Sequence, residues 1–492
     1  MAKVLIININ WRNLTKIGRL RKYDPLLPQE LMYIDADLRR NNVESKLIDL
    51  WGEDREISNI KEDIKHAEIL IFCSAPSYHF WQDGTIDEDL PRVKTNQIKE
   101  INPNIKIILV GPHGSVKPET FFNSKIDYIV RGEPDLETTK LIQQIEEGKR
   151  VDLDTVCWRE NDKWIVGEKS ATVEDMTQLP ILRYDELDPK HYSWPTSPEG
   201  YQFKRTSVFE ASRGCPFNCV FCFRKGFRGK FREKSLDQVR QELDLMKKQQ
   251  YEYFFIIDEV FGMNKEWTKE VCKEMGKRGF KWGCEVRPEH LNEEIIEAFA
   301  ENGCIEVRTG LESADREVLK KIGKGTVDLR KLKEDVENLV RRKVNVKFFC
   351  IAGLPGSSRK SIRKTLRYVL QFNPLIVNAA TNIMFPYPGT AIWHMAIKEG
   401  KKLEGWSDLE TYAGIIGNNF KSPKEVLKEV ARFNATILQN KSKTKIHHDL
   451  KKGLKTPMFT LKSVLAYGGC AIIKVFPSTY PFFVKFYRFL IK

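Results

Sequence analysis

Residues 212–223 read Ser212-Arg-Gly-Cys215-Pro-Phe-Asn-Cys219-Val-Phe-Cys222-Phe223, which places three cysteines within eight residues. The stretch follows the apolar, strand-like run Ser207–Ala211. A loop at the C-terminal end of a strand therefore presents three thiols. Spacings of three and two intervening residues let one tight loop wrap a metal centre without a regular helix. Three ligands leave a tetrahedral zinc site one short, and the nearest further His or Cys residues are His191 and Cys272. A [4Fe–4S] cluster held by three thiolates keeps one iron open to another ligand, which points to chemistry rather than storage. Structural zinc completed by a distant fourth ligand is the alternative.

Working outward, residues 205–400 repeat a strand pattern followed by a helix pattern six times. Strands are expected at Ser207–Ala211, Tyr253–Ile257, Lys281–Val286, Cys304–Gly310, Lys347–Ala352 and Ile376–Phe385. Ser235-Leu-Asp-Gln238 has the spacing of a capping box before the first helix, and Asn264 is placed as the N-cap of the second. Six such units form either an open partial barrel or a flat doubly wound sheet. In both, chemistry belongs at the C-terminal strand ends.

Residues 1–150 alternate short apolar runs with amphipathic stretches, which predicts a doubly wound parallel sheet. Residues 151–204 read as a connector containing a small hairpin at 156–166. Residues 401–492 begin helical and end basic, with no acidic residue and eight Lys or Arg from Leu450 onward. Phe482-Phe-Val-Lys-Phe-Tyr-Arg-Phe-Leu-Ile-Lys492 mixes basic and apolar side chains, a pattern suited either to an anionic membrane face or to a helical cap. The concentration of charge in this tail argues against nucleic acid as the partner of a chain of net charge +14.

The 492 residues are 41% hydrophobic and 30% charged, which excludes a disordered chain. A mean hydropathy of −0.43, without a signal-peptide pattern after Met1, reads as a cytoplasmic protein. Ten cysteines in a reducing compartment call for metal or chemistry at the cluster, and for buried inert thiols at the seven scattered positions.

The pattern Cys-x3-Cys-x-Phe221-Cys resembles the signature of radical S-adenosylmethionine (SAM) enzymes. Val307-Arg-Thr-Gly-Leu-Glu-Ser313, Ile351-Ala-Gly-Leu-Pro-Gly356 and Phe385-Pro-Tyr-Pro-Gly-Thr390 resemble that family's fourth-, fifth- and sixth-strand elements. Val110-Gly-Pro-His-Gly114 and Asp127-Tyr-Ile-Val-Arg-Gly-Glu133 look like elements of the subgroup with an N-terminal cobalamin-binding domain, which includes anaerobic magnesium-protoporphyrin ester cyclase-like proteins. The resemblance covers roughly residues 1–400. It implies a cobalamin-binding-like domain, a partial (β/α)6 barrel and a C-terminal helical segment.

The resemblance also implies cofactors and roles. Cys215, Cys219 and Cys222 would hold a [4Fe–4S] cluster whose open iron takes SAM, and reduction would release a 5′-deoxyadenosyl radical. Phe221, Asp258, Arg287, Glu312, Gly353, Leu354, Pro355 and Gly356 would line the SAM site. In that site Arg287 suits the methionine carboxylate, Glu312 accepts from ribose hydroxyls or the amino group, and glycine lets the backbone of 353–356 approach the adenosyl moiety. Ser74 and Gly111 would line a cobalamin site. The chain lacks Asp-x-His-x-x-Gly, so cobalamin would bind without a protein histidine; His79 and His113 are not assigned to cobalt.

The implied reaction is functionalisation of an unactivated carbon on a small or lipid-like substrate, with a flavodoxin or ferredoxin as electron donor. C-methylation stands first. Oxidation or ring closure without methyl transfer is the alternative, and a non-catalytic Fe–S or corrinoid carrier is the rival of another class. A methylthiotransferase would need a second N-terminal cysteine triad, where only Cys73 and Cys157 occur.

Overall fold

The computed structural model describes residues 3–11, 25–75, 89–161, 163–192, 201–223 and 227–451. His79, with the surrounding Ser77–Trp81, and nearly all of the basic tail lie outside the described residues.

The first sheet contains β1 (Val4–Asn8), β2 (Ser45–Asp49), β3 (Ile69–Cys73), β4 (Lys106–Val110), β5 (Tyr128–Val130), β6 (Val156–Glu160) and β7 (Lys163–Ile165). Its order is β2-β1-β3-β4-β5-β6-β7, parallel through β5 and antiparallel beyond. Strand β1 shows why both faces are covered. Leu5 and Ile7 enter one apolar cluster and Val4 and Ile6 another, as a strand's period of two dictates. Order reverses between β1 and β3, and such a switch point opens a crevice at the carboxyl ends of the strands. The hairpin β6–β7 extends this sheet past residue 150, because β6 pairs with β5.

The second sheet contains β8 (Thr206–Phe209) and, after a two-stranded ribbon described below, β11 (Tyr253–Ile256), β12 (Lys281–Val286), β13 (Cys304–Glu312), β14 (Asn345–Ala352) and β15 (Val377–Ile383). All are parallel, and their spatial order follows the chain without reversal. Right-handed crossovers in one unbroken direction put every helix on one face, so the open partial barrel is formed and the flat doubly wound sheet is not. Phe348 packs on Tyr368 and Phe372 of the covering layer.

Local signals hold where they are local. Ser235 and Gln238 form the reciprocal capping box of helix Leu236–Lys248, and Asn264 caps helix Lys265–Lys277 through the Trp267 N–H. Helix Pro423–Lys451 lies along β15, where Asn434 exchanges hydrogen bonds with the Thr381 backbone. Trp393, Trp406 and Leu409 reach back into the core of the first sheet. No helix among the described residues is long and apolar enough to cross a membrane.

Candidate active site

The cysteine loop leaves β8 and is closed at its base by β9 (Ser212–Arg213) pairing with β10 (Arg232–Glu233). Gly214 sits at φ +85°, and a Cβ there would lie 1.9 Å from the Lys230 carbonyl oxygen, so only glycine fits this close approach. Asp258, at the end of β11, accepts from the Ala211 N–H at 2.8 Å and the Ser212 hydroxyl at 2.5 Å. Glu259 accepts from the Gly214 N–H at 2.8 Å. Both acids thus position the entry to the loop.

Burial pushes the Asp258 carboxyl well above its ordinary value of 3.8. The folded chain then binds that proton more tightly than the unfolded chain, so wild-type stability falls as pH rises from 3.8 towards the folded value. An Asp258→Asn protein lacks that slope and keeps an acceptor for Ala211. Asp258→Ala orphans two buried donors and is expected to cost about 1–3 kcal/mol. Urea midpoints across pH check both statements.

Cys215, Cys219 and Cys222 are half-buried free thiols, in contrast to Cys73, Cys157, Cys272, Cys284, Cys304 and Cys350, which are buried. The Cys222 N–H donates to the Cys219 carbonyl, Val220 N–H to Ile322 and Ile392 N–H to Val220, so barrel segments from two other units grip the loop. Phe221 packs against the barrel core. Among the described residues no group of three ligand-type side chains is arranged around a single ion. Three half-buried thiols on one short loop are the donor type and number that a [4Fe–4S] cluster with one open iron takes.

Arg287 Nη1 donates to Cys219 Sγ at 3.3 Å, Nη2 pairs with Glu289 at 2.8 Å, and the guanidinium lies 3.7 Å from the Phe217 ring centre. Glu312 stands at a bulge in β13 with φ +54°, a costly conformation for a residue with a side chain. It pairs with Lys324 Nζ at 2.7 Å, which also donates to the Gly310 carbonyl. Sequence reasoning missed Lys324, which has no local pattern around it.

Gly353, Leu354, Pro355 and Gly356 follow β14. The side-chain space at Gly353 is taken by Gly414 (a Cβ would come within 2.4 Å), Asn418 donates to the Gly353 carbonyl, and the Gly356 N–H donates to Gly417. In this structure the glycine permits a close approach of segment 414–418, which fixes the loop.

The loop is also locked to the first domain. Arg213 forms a two-point pair with Asp135 at 2.8 and 2.9 Å and a third contact with Glu210 at 2.8 Å. Arg228 pairs with Glu30 at 3.0 Å, and Arg232 holds Glu133 with both nitrogens at 2.7 and 3.0 Å. Beside these arginines a cavity of about 60 Å³ is lined by Asn8, Trp51 and Cys73 of the switch point and by Val208, Glu210 and Ile257 of the barrel.

Ser74 and Gly111 meet at the ends of β3 and β4. Gly111 has φ +98°, and a Cβ there would lie 3.1 Å from Ser74 Oγ. The Ser74 hydroxyl accepts from the His113 N–H, and His113 Nδ1 lies 3.0 Å from the Ser74 carbonyl oxygen with its ring edge-on to Trp406.

The signature of the Radical SAM superfamily matches residues 209–369, which run from the end of β8 through the helix that follows β14. The middle domain is a radical SAM domain. An uncharacterized methyltransferase of Pyrococcus horikoshii is 28% identical over 381 residues, 75% of this chain and 78% of that protein. The anaerobic magnesium-protoporphyrin IX monomethyl ester cyclase of Rubrivivax gelatinosus is 28% identical over 60% of this chain, which spans only 54% of it. The cobalamin-dependent SAM radical enzyme OxsB, solved with aqua-cobalamin and SAM bound, superposes with a TM-score of 0.66 at 16% identity, covering 98% of this chain and 72% of that one. The arrangement of an N-terminal doubly wound domain before a radical SAM barrel is thus shared with a solved enzyme.

Proposed function

We propose that this radical SAM enzyme functionalises an unactivated carbon, with C-methylation as the first reading. The observation that carries it is the junction: Arg213, Arg228 and Arg232 tie the thiol loop to acids beside the switch point of the first sheet. When bound, the cluster with SAM supplies a carbon-centred radical and a corrinoid supplies a methyl group. Cys215, Cys219 and Cys222 would hold the cluster. Arg287 donates to the Cys219 sulfur, and its stacking on Phe217 fixes the guanidinium plane. Electron supply falls to a small donor protein of the flavodoxin or ferredoxin kind.

The place for a corrinoid fits in kind: a switch point, small residues at Ser74 and Gly111, and a His113 already engaged elsewhere. The likeness to the anaerobic magnesium-protoporphyrin ester cyclase supports a second reading, oxidation or ring closure without methyl transfer.

Iron and cobalt content after anaerobic purification with cobalamin supplied, followed by assay of 5′-deoxyadenosine on reduction, tests these readings. About four irons with one cobalt, and cleavage of SAM, is the expected result. Iron with cleavage but no cobalt selects the second reading. Iron without cleavage returns the protein to a carrier.

A further inference from the structure

The concave face of the barrel carries charge that the chemistry above leaves unused. Strand pairing sets Glu285 of β12 beside Arg308 of β13, Arg308 beside Lys347 of β14, and Lys347 beside Asn378 of β15. The residues next to them in sequence, among them Cys284, Val307, Phe348 and Ala379, are buried in the core under the helices. The four therefore face the lumen, where Glu285 and Lys347 are half-buried and Asn378 is exposed.

Arg308 is provided for. It pairs with Glu306 at 3.0 Å and lies 4.3 Å from the Phe255 ring centre. Lys347 is not: among the described residues no hydrogen bond or ion pair engages it, and its ammonium lies 5.4 Å from the Phe349 ring centre. Like charges on neighbouring strands repel. Burial, followed by Arg308, pushes the Lys347 ammonium down to about 8 against the pull of Glu306 and Glu285. The Asn378 amide oxygen accepts from the Ala379 N–H, which leaves its NH2 group as a donor at the same level. A half-buried cation that no carboxylate pairs with or hydrogen-bonds among the described residues, set beside an amide donor, is a receptor for a carboxylate. Further along β14, half-buried Phe349 and Ile351 face the same lumen, and four residues of strand span about 13 Å.

We propose that Lys347 and Asn378 receive a carboxylate of the substrate, whose apolar body lies along Phe349 and Ile351. The substrate is then an amphiphilic acid rather than an uncharged hydrocarbon. This rests on the radical SAM reading, in which the reacting molecule occupies the lumen.

The test uses the full chain and does not depend on turnover. Lys347 is acetylated with N-hydroxysuccinimidyl acetate at pH 8, and its rate is followed by peptide mass spectrometry with octanoate or 1-octanol present. Octanoate is expected to slow labelling of Lys347 several-fold and 1-octanol to leave it unchanged. Asn378→Asp, which sets a carboxylate beside the lysine, is expected to remove the octanoate effect. Equal protection by acid and alcohol, no protection by either, or a lysine that never reacts overturns the assignment. Formation of 5′-deoxyadenosine by unlabelled protein is scored separately. Cleavage without protection overturns the carboxylate site alone, whereas protection without cleavage overturns the radical SAM reading and leaves the anion site standing.

Discussion

Cys219→Ala is expected to lower bound iron from about four per chain to background and to abolish 5′-deoxyadenosine formation. The reason lies in which thiols are open to a cluster. A cluster ligand must give up its proton, which burial in apolar surroundings opposes. Cys272 and Cys350 are enclosed in the barrel wall, and burial holds both thiols well above the ordinary value. Cys219 is half-exposed and receives the Arg287 guanidinium at 3.3 Å. Cys272→Ala is the matched control, expected to retain iron and cleavage while losing about 1 kcal/mol of packing, near the cost of one buried methylene. The measurement is iron content and 5′-deoxyadenosine yield for both variants after identical anaerobic reconstitution. Iron retained by the Cys219→Ala protein sinks the assignment of the triad.

What was legible in the sequence was short-range. Cys215, Cys219 and Cys222 lie within eight residues, and Ser235 with Gln238 is one helical turn, so spacing alone reports their geometry. The strands of both sheets show in alternation or in apolar runs because each is a local stretch of three to nine residues. Sheet order is another matter. Periodicity is identical for a barrel and for a flat doubly wound sheet, and only the resemblance of the motifs separated them. Hairpin β6–β7 looks self-contained in sequence, yet joins the first sheet through an edge that β5 leaves open. The left-handed conformation of Glu312 follows from a bulge whose cause is register with β14, and Lys324 reaches it from a separate turn. Arg213 and Asp135 are 78 residues apart, and Arg228 and Glu30 are 198 apart. No local pattern encodes such pairs, although a row of arginines around a cysteine motif is a signal that an acidic surface must meet it.

The second large effect is expected at that row. Arg213→Met, close in volume, removes the cation shared by Asp135 and Glu210 while leaving both carboxylates where they are. The Arg213 and Asp135 side chains are 1% and 0% exposed, so neither water nor salt screens what remains. Breaking one partner of a buried pair costs about 3–5 kcal/mol, and a lower denaturant midpoint should report it. The double variant Arg213→Met with Asp135→Leu is expected to recover part of that loss, because replacing both charges by apolar groups removes the uncompensated one. Among the described residues Glu210 then keeps only its 3.6 Å contact with Arg228, so recovery should be incomplete.

The pH dependence has a definite sign. Burial works against the charge on Asp135, but Arg213 outweighs it and holds the carboxyl below its ordinary value of 3.8. The pair therefore contributes stability that is present above 3.8 and lost as pH falls through the lower folded value. The wild type should lose more stability than the double variant on acidification through that window. If the junction is what seats the thiol loop, the double variant should also retain iron less well than its restored stability predicts. A double variant that regains both stability and iron would mean that the arginine holds the domains together without positioning the loop.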